Sequence, residues 1–171
     1  AGCKYAIALA NGTDALIIAL KALGIKAGDE VIFCSHTMVA TASAIALNGA
    51  TPVPVEMGPD RVIDCNAIEK AITPRTKMIM PTQLNGRTCD MDRLMAIAKK
   101  HNLLVVEDAA QALGSKFKGK GAGTFGVTGM ISLYPAKSLG CFGDGGALLT
   151  NDKDFYDKVM ILRDHGRNSK G

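Results

Sequence analysis

Apolar residues fall in seven short runs: Tyr5–Leu9, Val31–Phe33, Val53–Val55, Met78–Met80, Leu103–Val106, Gly129–Leu133 and Ala147–Thr150. Several show no clean polar alternation, as in strands covered on both faces. Helix signals fill most of the gaps. Thr13–Leu23 is almost wholly apolar and stops at Gly24, a favourable C-terminal breaker. Thr37–Leu47 is Ala-rich and ends at Asn48-Gly49. Asp64 is placed to cap a short helix through Ile72, before Pro74. Asp90 is placed to cap a helix with Leu94, Ile97 and Ala98 on one face, ending in Lys99-Lys100. Asp152 precedes a last stripe of Phe155, Tyr156, Val159 and Leu162.

This β-α alternation predicts an α/β fold: three layers, with a mostly parallel seven-stranded sheet and helices on both faces. The loop joining the last two runs is too short for a crossover helix, so one of them is expected to run antiparallel. The Gly-rich stretch Gly119–Gly129 reads as a loop between the fifth and sixth runs. No internal repeat or interior domain boundary is visible.

Composition narrows the classes. With 47% hydrophobic and 21% charged residues, the chain is neither disordered nor a disulfide miniprotein. Its 19 glycines and scarce aromatics suit close helix–sheet approach. The net charge of +4 is spread out. Its densest cluster, Lys116, Lys118 and Lys120 around Phe117, fits a solvated loop or hairpin better than a nucleic-acid surface. Cys3, Cys34, Cys65, Cys89 and Cys141 include no CxxC pair, and nothing completes a zinc set around Cys34 and His36. Reduced thiols in a cytoplasmic protein are expected, with no metal. No apolar run reaches the roughly 18 residues of a membrane span. Both ends, AGCKYAIALA and DHGRNSKG, read like the interior of something longer.

Ligands of open α/β sheets gather at the carboxyl ends of strands. After the first run comes Asn11-Gly12-Thr13, where a glycine and a hydroxyl open a helix. That suits a phosphate, although an N-cap without ligand explains it equally well. After the fifth run comes Glu107-Asp108, acids beside a low-dielectric interior whose charge calls for a cation partner. The alternative is an N-cap for a helix over Ala109–Leu113. After the sixth run comes Lys137, ahead of a Gly-rich turn, placed to act as a nucleophilic amine. Neither the Walker nor the Rossmann glycine spacing is present. An anion site, a buried carboxylate and a reactive lysine on three strand ends match the needs of pyridoxal phosphate.

His101, near the end of the fourth helical pattern, reads as a partner of the helix dipole. His36 lies at a strand end near the expected pocket, and His165 reads equally as a structural turn or as a contact with a partner subunit or substrate. The eight methionines read as core filling.

The segment VEDAAQALGSKFKGKGAGTFGVTGMISLYPAKSLGCFGDGGALLTND resembles the core of the nucleotide-sugar aminotransferases, the DegT/StrS type of fold-type-I pyridoxal phosphate enzymes. NGTDAL, HTMVATASAIALNGATPVPVE and LRDHGR match in the same order, so the resemblance spans nearly the whole chain. It implies that Lys137 forms the internal aldimine and that Asp108 pairs with the pyridine nitrogen. It places Gln111 near the ring and its phenolic oxygen, and Gly12, Thr13 and Ser132 on the phosphate. Met38 stands where the family usually stacks an aromatic; a thioether also packs on a π face. Val127 stands where Asp is frequent, and Gln83 and Asn85 where His and an aromatic are common, a departure bearing on the substrate pocket.

The resemblance further implies that residues 1–171 are the cofactor-binding large domain of a longer enzyme, with an N-terminal arm and a C-terminal small domain outside them. The implied enzyme is a cytoplasmic homodimer binding neither nucleic acid nor membrane. It would transfer an amino group, with glutamate as donor, to a nucleotide-linked keto-sugar in ping-pong half-reactions. Cell-surface polysaccharide and antibiotic amino-sugar synthesis both fit. A sugar dehydratase dependent on pyridoxal phosphate or pyridoxamine phosphate is the alternative within the same fold, but that branch carries His in place of Lys137. A catalytically silent module is the alternative outside enzymes.

Overall fold

The computed structural model describes residues 2–167. The closing residues 168–171, and with them the end of the DHGRNSKG stretch, lie outside the described part. The strands are β1 (Tyr5–Leu9), β2 (Glu30–Cys34), β3 (Thr51–Val55), β4 (Thr76–Met80), β5 (Leu104–Asp108), β6 (Lys116–Phe117), β7 (Lys120–Gly121), β8 (Thr128–Ser132) and β9 (Gly146–Thr150). The helices are α1 (Gly12–Ala22), α2 (Val39–Leu47), α3 (Cys65–Ala71), α4 (Met91–Lys100) and α5 (Lys153–Arg163).

Seven strands form one sheet in the order β1-β9-β8-β5-β4-β2-β3. β2 pairs in parallel with β3 and β4, β4 with β5, and β5 with β8. The expected reversal falls on β9, which is antiparallel to both β8 and β1. Six strands therefore point one way, and their carboxyl ends share one edge. β6 and β7 form a separate hairpin, so the lysine cluster is a solvated turn, with Lys118 near Asp92 and above the Phe117 ring.

Alternate residues of each strand feed two cores. Val31, Phe33, Met78, Met80 and Val106 join α1, α2 and α5 on one face. Ile32, Cys34, Ile79 and Val105 join α3 and α4 on the other. This is the predicted three-layer arrangement. α1 shows why it holds: Ala15, Leu16, Ala19 and Leu20 recur at helical spacing and are fully buried. Asn11, Asp64, Asp90 and Asp152 cap α1, α3, α4 and α5 through their side chains. β3 extends two residues upstream of its apolar run, through Pro52 and Pro54. It pairs only with β2, and prolines two apart both direct their missing N–H to the same outer edge, where none is needed.

The helix over Ala109–Leu113 that the alternative reading of Glu107-Asp108 required is absent. Residues 109–113 form turns, with Ala112 N–H bonded to Ala109 O and Ser115 N–H to Ala112 O. Gln111 is drawn out of helical register by Gly86 N–H, which binds its carbonyl, and Asn85 N–H, which binds its Oε1. Tertiary bonds override a weak local propensity.

Glu30 ties β2 to the entry of β4. It accepts from Thr73 Oγ1 at 2.5 Å, and from Arg75 Nε at 2.9 Å and Nη2 at 2.5 Å. The Thr73 hydroxyl, then the Arg75 guanidinium, hold its carboxyl below the ordinary value of 4.5. A depressed acid stabilises the fold above its unfolded value, and the gain is lost as pH falls through the folded one. Glu30→Gln should therefore be destabilised at about pH 6 and lose less than wild type by about pH 3, measured by urea unfolding at both. Parallel losses in the two proteins would refute this.

The five cysteines are free. Burial pushes the thiols of Cys34, Cys65 and Cys89 up, leaving them as packing groups. Among the described residues no group of His, Cys, Asp or Glu is arranged to hold a metal ion. Nor, among them, is any helix long and apolar enough to cross a membrane.

Candidate active site

The shared edge of strand ends opens into a cavity of about 570 Å³. Gly12, Thr13, Met38, Asp108, Ser132 and Lys137 all line it. A second hollow beside it is lined by Gln111, Asn85 and Ser138, and Lys137 borders both. Six of the seven predicted site residues thus meet in one cavity. The seventh, Gln111, lies across Lys137 from them.

The anion end is built by close backbone approach. Gly146 of β9 lies opposite both Leu9 and Ser132. A Cβ on Gly146 would lie 2.4 Å from the Asn11 carbonyl carbon, so only glycine lets α1 begin there. A Cβ on Gly12 would press on Met130 Sδ at 3.0 Å and Ser132 Cβ at 3.1 Å. Asn11 Oδ1 accepts from Asp14 N–H, and Asn11 O accepts from Ala15 N–H. The N–H groups of Gly12 and Thr13, ahead of the first intrahelical bond, remain at the positive end of α1 beside the Ser132 hydroxyl.

Asp108 ends β5 with 3% of its surface exposed. Its Oδ2 accepts from Thr41 Oγ1 at 2.6 Å, and its Oδ1 from Ala110 N–H at 3.2 Å. Burial pushes its carboxyl above the ordinary range, while Thr41, Ala110 N–H and the positive charge of Lys137 pull it back. The side chain therefore makes a cap-like bond to Ala110 even though no helix follows. Lys137 sits in the loop after β8, its N–H bonded to Tyr134 O at 2.8 Å. Met38 precedes α2, where its Sδ accepts from Ala40 N–H at 3.3 Å, and it is 57% exposed at the cavity wall.

Other candidates separate from the site. Glu107 is fully buried, and among the described residues no cation answers it, contrary to the expectation for this pair of acids. Its oxygens accept from the N–H groups of Gly123, Phe125 and Gly126 and from Gln83 Nε2. Backbone dipoles replace the cation. Gln83 is interior as well, its Oε1 taking Cys89 N–H, so it is a packing group and not a pocket wall. Asn85 does reach the second hollow, at a positive φ of 53°. Val127 lies at the amino end of β8, opposite the cavity, packed on the core.

His36 binds the Arg61 carbonyl at 3.3 Å and does not line the cavity. His101 is the C-cap of α4, the position at which the dipole reading placed it. His165 occupies a left-handed turn after α5. Asn11, Asp14, Tyr134 and Asp144 line the cavity as well. The Asn-Gly-Thr cap signal pointed to the first of these; nothing in the sequence marked the others. Thr41 was missed too, although its spacing of four from Thr37 is a one-face helical signal.

The amine, the buried acid and the free helix N-terminus that pyridoxal phosphate requires thus border one cavity, large enough for a compact cofactor. Residues 1–171 match the DegT/DnrJ/EryC1/StrS aminotransferase family. A dTDP-3-amino-3,4,6-trideoxy-alpha-D-glucose transaminase of Streptomyces venezuelae is 46% identical over 97% of this chain and 44% of its own length. The structure of S. venezuelae DesV in complex with a ketimine intermediate superposes with a TM-score of 0.95 at 46% identity, covering 98% of this chain and 46% of that one. A Bacillus subtilis NtdA structure with bound cofactor PMP gives 0.86 at 38%, covering 93% of this chain and 36% of that one. The chain spans less than half the length of each.

Proposed function

The chain belongs to the DegT/DnrJ/EryC1/StrS aminotransferase family, and on that premise we propose that the whole protein aminates a nucleotide-linked keto-sugar with pyridoxal 5'-phosphate held at this sheet edge. The observation that carries the proposal is the convergence of Gly12, Thr13, Ser132, Asp108 and Lys137 on one cavity. The sugar substrate rests on the transaminase name of the S. venezuelae relative.

When bound, the cofactor supplies an electron sink for charge developing on a substrate carbon. The remaining work falls to this chain. The N–H groups of Gly12 and Thr13 and the hydroxyls of Thr13 and Ser132 bind the phosphate. Asp108 holds a proton at the ring nitrogen. Met38, on the cavity wall, and Gln111, in the neighbouring hollow, would flank the ring. Lys137 would hold the cofactor through its amine, and the same amine is placed to act as general base and acid toward the donor α-carbon. One site serves both half-reactions, with glutamate as the inferred donor, so kinetics are ping-pong. Residues 1–171 act as the cofactor-binding large domain, and a second copy completes the site. Exposed Tyr134, Leu139 and Phe142 around the lysine loop suit such a contact. Five unpaired thiols suit the cytoplasm.

The test is optical. Pyridoxal phosphate should give the whole protein a visible absorbance band, glutamate should bleach it, and a nucleotide keto-sugar should restore it. A protein that stays colourless overturns the reading. Asp108→Asn separates chemistry from folding. Turnover should fall about a hundredfold or more, as when one preorganised charge-stabilising group is removed. An acid raised by burial costs stability as pH climbs from its unfolded to its folded value. Hence the cofactor-free Asn variant should melt at or above the wild-type temperature at neutral pH. An unchanged rate would refute the role of Asp108.

A further inference from the structure

Behind Asp108 lies a row of hydroxyls that the proposed chemistry leaves unused. Thr82 Oγ1 is 2.8 Å from Thr37 Oγ1, which is 2.7 Å from Thr41 Oγ1, which is 2.6 Å from Asp108 Oδ2. Thr41 and Thr82 are buried, at 0% and 4% exposure. The row crosses three neighbouring strand ends. Thr37 follows β2, Thr82 follows β4 and is paired with Asp108, and Asp108 closes β5; Thr41 joins them from the first turn of α2.

Proton counting gives the row a direction. Each threonine hydroxyl has one hydrogen. An ionised Asp108 only accepts, so Thr41 spends its hydrogen there. The Thr37–Thr41 bond must then use the hydrogen of Thr37, and the Thr37–Thr82 bond that of Thr82. All three O–H dipoles point at the carboxylate, and bonds so chained reinforce one another in a low-dielectric setting.

We propose that Thr82, Thr37 and Thr41 form a one-way hydroxyl chain that holds Asp108 as an ionised acceptor aimed at the cofactor ring nitrogen. The inference rests on the cofactor reading above. Thr41 is its essential link and a positioning residue, since it acts through Asp108. The chain offsets the desolvation that drives Asp108 toward its neutral form. Without it, only the Ala110 N–H and the Lys137 charge oppose that desolvation, so Asp108 moves toward its neutral form and grips a protonated ring nitrogen less firmly.

The experiment uses the whole protein with pyridoxal phosphate isotopically labelled at the ring nitrogen. It compares wild type, Thr41→Val, Thr41→Ser and Thr37→Val. Nuclear magnetic resonance reads ring protonation, and visible absorbance reads cofactor affinity. Thr41→Val removes one hydrogen bond to a charged group. It should weaken affinity about tenfold and move the ring resonance toward the unprotonated position. Thr41→Ser, which keeps the hydroxyl, should stay within about threefold of wild type. Thr37→Val should fall between them, and it decides the matter if Thr41→Val does not fold. A wild-type resonance in a folded Thr41→Val protein, or in Thr37→Val when Thr41→Val fails to fold, overturns the chain. A wild type that shows no visible band overturns the cofactor reading and the chain with it, whereas a coloured wild type with unmoved variants overturns the chain alone.

Discussion

Lys137→Ala is expected to abolish turnover, lowering kcat/KM by about four orders of magnitude or more, because one amine performs two tasks. It is the proposed covalent anchor of the cofactor and the base that moves the donor α-proton. A positioned general base alone is worth about 10²–10⁴ in rate. The position of Lys137 suits both tasks. It borders the cavity lined by Asp108, Gly12 and Thr13 and also the hollow lined by Gln111 and Asn85. It therefore faces both spaces, as the proposed double role requires. Its charge reaches Asp108 and favours the ionised form of that acid. Lys137→Arg keeps the charge but has no neutral amine at working pH, so it should be as inactive as the alanine variant. That comparison separates electrostatics from nucleophilicity. Lys137 is half-exposed on a loop, so neither change should lower the melting temperature by more than about 2 °C. Steady-state rates with glutamate and a nucleotide keto-sugar make the measurement. A variant within about tenfold of wild type would remove Lys137 from the chemistry.

How far the chain could be read in advance follows from the range of each interaction. Strands and helices were legible because burial on two faces and on one stripe leaves a periodic record, as in Val31–Phe33 and in Leu94, Ile97 and Ala98. Caps were legible because Asp90 and Asp152 act on residues two and three away. The lining of the candidate cavity was legible where it is local: Gly12-Thr13 at a helix start, Asp108 and Lys137 beyond strand ends. Strand order was not, since nothing in β9 states that it lies between β1 and β8. The turns at 109–113 were missed because contacts with Asn85 and Gly86, more than 20 residues away, decide them. Thr41 lies within an alanine-rich helix, and only the fold brings Asp108 to its hydroxyl. Glu107 and Asp108 looked alike as adjacent acids. A strand sends neighbouring side chains to opposite faces, and that alone makes one a cavity wall and the other an interior anchor.

The anchor gives the largest expected loss of stability. Glu107 has no exposed surface, and four donors converge on it. Gly123 N–H and Gln83 Nε2 reach Oε2, each at 2.9 Å. Phe125 N–H reaches Oε1 at 2.6 Å and Gly126 N–H at 3.3 Å. Glu107→Ala strands these groups, and the surroundings leave little room to repair the damage. A Cβ on Gly126 would lie 2.1 Å from Val105 O, and one on Gly129 would lie 2.3 Å from Gly123 Cα, so the loop is pressed backbone to backbone on the sheet. Each buried donor left without a partner costs about 1–3 kcal/mol, so the variant should lose on the order of 4 kcal/mol. Against a typical total of about 5–15 kcal/mol, that leaves it close to unfolding at 37 °C. Glu107→Gln keeps one acceptor oxygen but turns an NH₂ group toward existing donors, so a loss of about 2 kcal/mol is expected. The damage should also reach the site, because the loop leads directly into β8, whose far end holds Ser132 and, just beyond it, Lys137. Cofactor affinity should therefore fall with stability, and no change in substrate should restore it. Urea unfolding of the three proteins measures the first effect and visible absorbance the second. An alanine variant within about 1 kcal/mol of wild type would mean that water or a rearranged loop satisfies those amides, and that the buried acid does not anchor the loop.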